Sequence, residues 1–350
     1  MESRICRLHG QGDIRIETQT VASPGPGEAL VAIAAGGICG SDLHYYLDGG
    51  FGPIRVREPI ILGHEAAGTV LAVGEGVEGL AEGSRVAVNP SRPCGTCAYC
   101  LEGLPIHCLS MRFNGSALRF PHEQGLFRER IIVDAAQCVP VGAKVSFAEA
   151  ACSEPLAVCL HARRMAGPLK DKKVLVTGAG PIGALCAGVA AEAGASEIVV
   201  TDLQDFTLDV ARRMGATRTV NVAAQPETMD AYAQDKGYFD IAFECSAAAP
   251  AIKTAISALR PRGRLVQVGV TGDVPVPVNL LVGKEITFQG THRFDREFAE
   301  AVELISTGRL NVLPVVTGTY PLERAAEAFK AAGDRSASVK VQIGFENAAG

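Results

Sequence analysis

No apolar run in this 350-residue chain approaches the roughly 20 residues needed to span a bilayer, so no membrane segment is expected. A basic excess is missing as well: 33 Lys and Arg stand against 38 Asp and Glu, a formal net charge of −5. Nucleic-acid partners usually leave a basic footprint, and none is expected here. The start, Met1-Glu2-Ser3-Arg4-Ile5, lacks a basic stretch followed by an apolar one. No secretory signal is therefore expected, and a cytoplasmic location is the simplest reading. There is no internal repeat, low-complexity tract or long run of like charge. Cysteine is present in odd number, 11. In a long intracellular chain that count argues against a disulfide framework and for thiols as metal ligands.

What is present has the balance of an ordinary soluble protein, 47% hydrophobic and 20% charged, at a length natural for two domains. Up to about residue 150 the chain reads as β-rich, with short apolar runs at 29–34 and 67–73 broken by glycine and proline at 24–27 and 74–79. From about residue 172 the pattern alternates. Strands are expected at Lys173–Thr177, 197–201, 219–222, 239–243, 264–268 and 286–289, with helices at 182–193, 206–214, 227–236 and 250–259 between them. Six strands with helical crossovers make an α/β fold with a doubly wound parallel sheet. A tail from about residue 295, with helices at 298–306 and 322–332 and a strand at 339–343, is too short to stand alone. It is expected to pack back onto the first part, giving a discontinuous domain of 1–150 and 295–350 around a nucleotide-binding domain of 151–294.

Gly178-Ala179-Gly180-Pro181-Ile182-Gly183 follows the buried-strand run 174–176 directly and opens a helix. Glycines there allow a tight turn and close approach to a pyrophosphate at the helix N-terminus. Asp202 ends the next strand, 19 residues beyond Gly183, where a carboxylate can accept hydrogen bonds from adenosine ribose hydroxyls. It would repel a 2′-phosphate, and Leu203-Gln204-Asp205 offers no cation. NAD is thus favoured over NADP, with Arg212 the nearest counter-argument.

Cys94, Cys97, Cys100 and Cys108 follow C-x2-C-x2-C spacing with a fourth cysteine close by. Four thiolates can close a tetrahedral structural zinc site, although iron–sulfur and redox clusters use such sets too. His107, next to a ligand, reads as a bystander. A second group is scattered: Cys39, His64 and Glu154. Mixed S, N and O ligands would leave a position open for substrate, as a catalytic zinc requires, but spacing alone does not join these segments. Singly, each has a bland reading as a core or surface residue.

The segments GGICGSDLHY (36–45), LGHEAAG (62–68) and EPLAV (154–158), together with the four-cysteine lobe and Gly178–Gly183, resemble the zinc-containing medium-chain dehydrogenases, above all the polyol branch that includes sorbitol dehydrogenase. Residues 89–91, 111–113, 115–117 and 120–122 are similar to those of members acting on the sugar acid L-idonate.

The resemblance implies a GroES-like β domain beside a Rossmann domain, with two zinc ions per chain, one catalytic and one structural. Cys39 and His64 would bind the catalytic ion, with Glu65 or Glu154 as third ligand and the other close by. Ser41 and His44 match the proton relay. Gly178, Gly180, Pro181, Ile182, Gly183, Asp202, Val268, Gly269, Val270 and Arg293 would line the coenzyme, and Tyr45 and Arg293 the substrate. Thr291-His292-Arg293-Phe294 corresponds to a G-x-F-R-Y-like segment of sorbitol dehydrogenases, with His292 and Phe294 as departures. Arg112, Arg119, His122 and Arg128 are further candidates to line the cleft, whereas Cys152 and Cys159 read as core packing.

The activity implied is oxidation of a secondary alcohol on a sugar acid or polyol with NAD(P). A sorbitol, xylitol or threonine-type substrate is the alternative, and a non-catalytic nucleotide-binding regulator the alternative of another class. A homotetramer or homodimer is implied, with strand 286–289 near the interface.

Overall fold

The computed structural model describes residues 1–270 and 272–345; the end of the expected tail, 346–350, lies outside them. Glu28–Gly37 (β1) is apolar along both faces and accordingly lies inside a seven-stranded sheet. Glu65–Val73 (β2) pairs with it antiparallel, from Ala29 opposite Val73 to Gly37 opposite Glu65. Arg85–Val88 (β3) continues the sheet beyond β2, Arg130–Asp134 (β4) pairs with the first half of β1, and Cys138–Pro140 (β5) pairs with β3. Helix Gly40–Asp48 (α1), closed by Gly49 at φ +63, leaves the end of β1.

Helix Ser153–Ala166 (α2) carries the chain out of this sheet, and nine of its 14 residues are buried. It is therefore core on nearly every side rather than a surface crossover. One hydrophobic core contains Ala35, Ala67 and Ala87 of the first sheet, Leu156 and Leu160 of α2, and Val174 and Leu185 beyond it.

The second sheet comprises Lys173–Thr177 (β6), Glu197–Asp202 (β7), Arg218–Asn221 (β8), Phe239–Glu244 (β9), Leu259–Gln267 (β10) and Thr287–Gly290 (β11), all parallel, in the order β8-β7-β6-β9-β10-β11. Strand order reverses between β6 and β9, which opens a crevice at the carboxyl ends of those strands. Pro181–Glu192 (α3) starts at that crevice, with Gly180 as its N-cap and Pro181 in its first turn. Proline suits that position because its missing N–H would have no partner in the helix.

Differences from expectation are local. The helix expected at 227–236 stops at Ala233 and gives way to a single tight turn, because Asp235 and Lys236 take left-handed φ values of 50 and 70. Strand β10 starts at Leu259, five residues before the expected 264. Helices α1, α2 and Val278–Lys284 were not anticipated from the pattern.

In the tail, Glu297–Ser306 (α4) lies along α2. There Glu297 receives His161 Nδ1 at 3.0 Å and Arg164 Nε at 2.9 Å, while Arg164 Nη2 reaches Glu300 at 2.9 Å. Val316–Pro321 (β12), helix Ala325–Gly333 (α5) and Lys340–Gly344 (β13) follow, and β13 pairs antiparallel with the end of β1, Gln342 opposite Gly37. We accordingly propose the domain division as 1–150 with 295 onward against 151–294, with α4 bridging the two.

Candidate metal centres and coenzyme cleft

The four lobe cysteines converge. The sulfurs of Cys94, Cys97, Cys100 and Cys108 lie within 4.8 Å of one another. Gly95 at φ +72 and Gly103 at φ +77 supply left-handed turns that side chains resist. Backbone N–H groups point at the sulfurs: Cys94 N donates to Cys108 Sγ at 3.2 Å, Cys97 N to Cys94 Sγ at 3.3 Å and Ser110 N to Cys108 Sγ at 3.3 Å. The Cys94 thiol is pulled down to about 6, first by the Thr96 N–H. Such donors stabilise thiolates, and four thiolates fit a closed tetrahedral zinc site.

A second set joins Cys39, the N-cap of α1, with His64 and Glu65 at the start of β2; their ligand atoms also fall within 4.8 Å of one another. Glu65 Oε1 accepts from Lys340 Nζ at 2.7 Å, whereas Glu65 Oε2 is buried without a hydrogen-bond partner. Gly37 makes room for it, since a Cβ there would sit 2.0 Å from Glu65 Oε2. Burial opposes a proton on His64, but the charges of Asp42 and Cys39 outweigh it and raise its pKa well above the ordinary value. An orphaned carboxylate oxygen amid surplus negative charge fits a divalent cation bound by S, N and O donors.

Glu154, in the first turn of α2, lies beside this set and outside its 4.8 Å circle. Burial, reinforced by the charge of Glu65, pushes its carboxyl up to about 7.

Asp42 orders the set from behind. It is fully buried, accepts from Cys39 N at 3.0 Å and Gly63 N at 3.1 Å, and faces His64 Nδ1 at 3.7 Å. A carboxylate behind a ligating imidazole fixes its ring orientation. Ser41 and His44 are three residues apart on α1. No hydrogen bond joins them among the described residues, and His44 instead meets Asp48 at 2.9 Å.

Above the cluster, Arg293 holds φ +49 and lays its guanidinium 4.1 Å over the Phe113 ring, whose other neighbour is His64 at 5.5 Å. Burial lowers the Arg293 pKa, and the charges of Glu154 and Tyr45 oppose that shift. The Tyr45 hydroxyl is buried and accepts from Ala117 N at 3.3 Å. His292 stacks on His107 at 6.1 Å, and partial desolvation together with the charge of Arg293 brings it down to about 4. His107 thus links the thiol lobe to the loop after β11.

The other candidates for the cleft have partners in their own lobe. Arg112 pairs with Glu123, Arg119 donates to the Met111 and Leu109 carbonyls, His122 accepts from Arg57 N, and Arg128 donates to Gly125 O. Cys152 and Cys159 are wholly buried in the core, as expected.

In the crevice of the second sheet, Gly178 takes φ +86, and a Cβ on Gly183 would lie 1.8 Å from Gly178 O. Around Gly180 there is open space, and no side chain caps α3, so its first N–H groups stay available to an anion. Asp202 Oδ2 accepts from Ala179 N at 2.6 Å, and Oδ1 from Leu203 N and Gln204 N at 2.7 and 3.0 Å. Arg212 is engaged with Asp209 and Thr219. Val268 N and Gly269 N both donate to Glu244 O, while Val270 is exposed.

Residues 25–143 match the alcohol dehydrogenase GroES-like domain, and residues 181–307 match the zinc-binding dehydrogenase family. L-idonate 5-dehydrogenase (NAD(P)(+)) of Escherichia coli (strain K12) is 41% identical over 346 residues, 99% of each chain. This chain belongs to the zinc-binding alcohol dehydrogenases. The crystal structure of the Escherichia coli L-idonate enzyme superposes with a TM-score of 0.94 over 99% of both chains. Sorbitol dehydrogenase of Homo sapiens is 36% identical over 332 residues, 92% of this chain and 90% of its own. The GroES-like and Rossmann parts expected above are those of this family.

For a zinc-binding dehydrogenase, the motifs alone assigned no role to Gly37, Asp42 and Phe113, which lie within them, or to Lys340 and Arg335, which lie outside them. Asp42 had a signal, an acid three residues after Cys39 where it caps α1. Lys340 had none, because it lies 275 residues from Glu65. Arg335 bonds Val339 O at 3.0 Å, and its pKa is lowered by burial but held up by Cys39 and Asp202. Its charge therefore bears on both the metal set and the coenzyme crevice.

Proposed function

We propose that the chain oxidises L-idonate to 5-ketogluconate, passing hydride to NAD(P) with NAD favoured. Arg293 carries this reading. Its half-buried guanidinium lies beside Glu154 and Tyr45 at the metal cluster without an ion-pair partner among the described residues. A sugar acid brings a carboxylate suited to that fork, and a neutral polyol does not.

In this reading Cys39, His64 and Glu65 hold the catalytic zinc, Glu154 stands alongside, and the four lobe cysteines hold the structural ion. When bound, zinc acidifies a hydroxyl placed at its open position, and the nicotinamide accepts hydride. Lys340 orients Glu65 through Oε1 and leaves Oε2 for the metal. Glu154, with its carboxyl near 7, can hold or release a proton at the site. The exit of the alcohol proton is placed at Ser41 and His44 on α1, although no hydrogen bond joins the two among the described residues and the exposed His44 meets Asp48. Arg293 and Tyr45 hold the substrate, while the N-terminus of α3 and Asp202 hold the dinucleotide.

The assembly we infer is a homodimer or a homotetramer, with β11 near the interface. All four β11 residues, Phe288 among them, are exposed at the sheet edge, and Val278 and Val282 of the preceding helix are exposed as well. No described helix is long and apolar enough to cross a membrane. Unpaired thiols throughout suit a reducing cytoplasm.

The deciding experiment follows NADH and NADPH formation with L-idonate, D-gluconate, sorbitol and xylitol, before and after zinc chelation. Chelator-sensitive turnover of L-idonate with NAD is expected. Preference for a neutral polyol would sink the sugar-acid assignment while keeping the mechanism.

A further inference from the structure

Glu244 ends β9 at the crevice with none of its surface exposed, and no cation pairs with it among the described residues. Its charge is met by hydrogen-bond donors instead. Oε1 accepts from Thr177 Oγ1 at 3.2 Å, Ser246 N at 2.9 Å and the Ser246 hydroxyl. Oε2 accepts from Ala247 N at 3.1 Å and Gln267 Nε2 at 2.5 Å. Thr177 ends β6 and Gln267 ends β10, so one carboxylate ties together three adjacent strand ends and the turn that follows β9.

That turn is under strain. Ala247 takes φ +60, a left-handed conformation that residues with a Cβ resist. It is also wedged tightly. A Cβ on Gly178 would come 2.9 Å from the Ser246 backbone, and one on Gly269 would come 2.7 Å from Ala247 N. Gly178 and Gly269 are both residues assigned above to the coenzyme, and Gln267 Nε2 also donates to Gly269 O at 2.7 Å. A buried carboxylate is retained only where its hydrogen bonds are worth more than the hydration it loses. Here those bonds hold a strained turn between the two glycine segments.

We propose that Glu244 is a positioning residue for the dinucleotide, holding the 245–248 turn so that the floor of the coenzyme crevice is preformed. The proposal rests on the NAD(P) reading given above. Glutamine at this position would turn an amide N–H₂ towards donors and lose the charge that Ser246 and Ala247 bind. Metal ligands and Arg293 are untouched by the change.

The test compares wild type, Glu244→Gln, Ala247→Gly and the double variant for NADH affinity by fluorescence titration, alongside zinc content and thermal melting. Glu244→Gln is expected to weaken NADH binding by about tenfold or more, with zinc content and the KM for the alcohol at saturating coenzyme held within about twofold. Ala247→Gly in that background is expected to recover part of the affinity, because glycine takes positive φ unaided. Should Glu244→Gln fail to fold, Ser246→Ala, which removes one donor to the same oxygen, is expected to weaken NADH binding in the same direction. Wild-type affinity in Glu244→Gln overturns the proposal, as does a loss of affinity that only follows loss of zinc and of the melting transition. A zinc-loaded wild type that binds no NADH overturns the coenzyme reading itself.

Discussion

Lys340 Nζ lies 2.7 Å from Glu65 Oε1, and each side chain keeps only 1% of its surface exposed. Removing one partner of such a buried pair leaves the other charge uncompensated, at a cost of about 3–5 kcal/mol. Lys340→Met is therefore expected to melt at a markedly lower temperature and to lose metal from the Cys39–His64–Glu65 centre, while the four-cysteine lobe keeps its own. Metal analysis with thermal melting checks this; unchanged metal content would show that Glu65 holds its place without the lysine.

Gly183 faces Gly178 O so closely that an added Cβ would sit 1.8 Å away. Neither backbone atom can yield without opening the loop. Gly183→Ala is expected to lower NADH affinity by at least about tenfold, while metal content stays as in wild type. Titration of NADH fluorescence reads the result, and an unchanged affinity would remove the loop from the coenzyme site.

Substrate charge should be felt at Arg293. Replacing it with alanine removes a charged hydrogen-bond donor from a half-buried place, so KM for a sugar acid is expected to rise about 10- to 100-fold. For a neutral polyol the change should be small. Lysine should restore little, since it lacks the planar fork. Equal losses on acid and polyol would assign Arg293 to packing on Phe113 instead.

Acid should loosen the contact between α2 and α4 through Glu297. Burial alone would raise its carboxyl, but the hydrogen bond to His161 and the Asp295 N–H carry it down to about 2. A depressed acid contributes stability that is complete above its unfolded pKa of about 4.3 and is lost as pH falls from there through the folded value. Urea midpoints of wild type and Glu297→Gln should differ at pH 6 and converge as the pH drops below about 4. A gap independent of pH would contradict the assignment.

Much of the fold was legible because its cues are local. Strands β6 and β7 carry continuous apolar runs at 174–176 and 198–200, as parallel strands buried on both faces do, and α3 announces itself through Gly180-Pro181. Helix α2 was not, because nine of its 14 residues are buried and its polar residues His161, Arg163 and Arg164 fall in its second half, too few to set a clear period. The turn at Asp235 and Lys236 was equally hidden, since neither residue type signals a left-handed conformation as glycine does.

The same division runs through the site. Chain chemistry at short range determined the thiol lobe, Gly178–Gly183 and Asp202, where ligands and turns lie within a few residues and backbone geometry alone brings them together. Whether Glu65 or Glu154 joins Cys39 and His64 was open in the sequence. The pairing of β2 with β1 sets Glu65 opposite Gly37, where the missing Cβ leaves room for its carboxylate, and that is the ground on which Glu65 is proposed. The return of β13 to β1 then brought Lys340 to the other oxygen. Contacts of that kind depend on which strand lies beside which, and sheet register across hundreds of residues is a property of the whole packed chain.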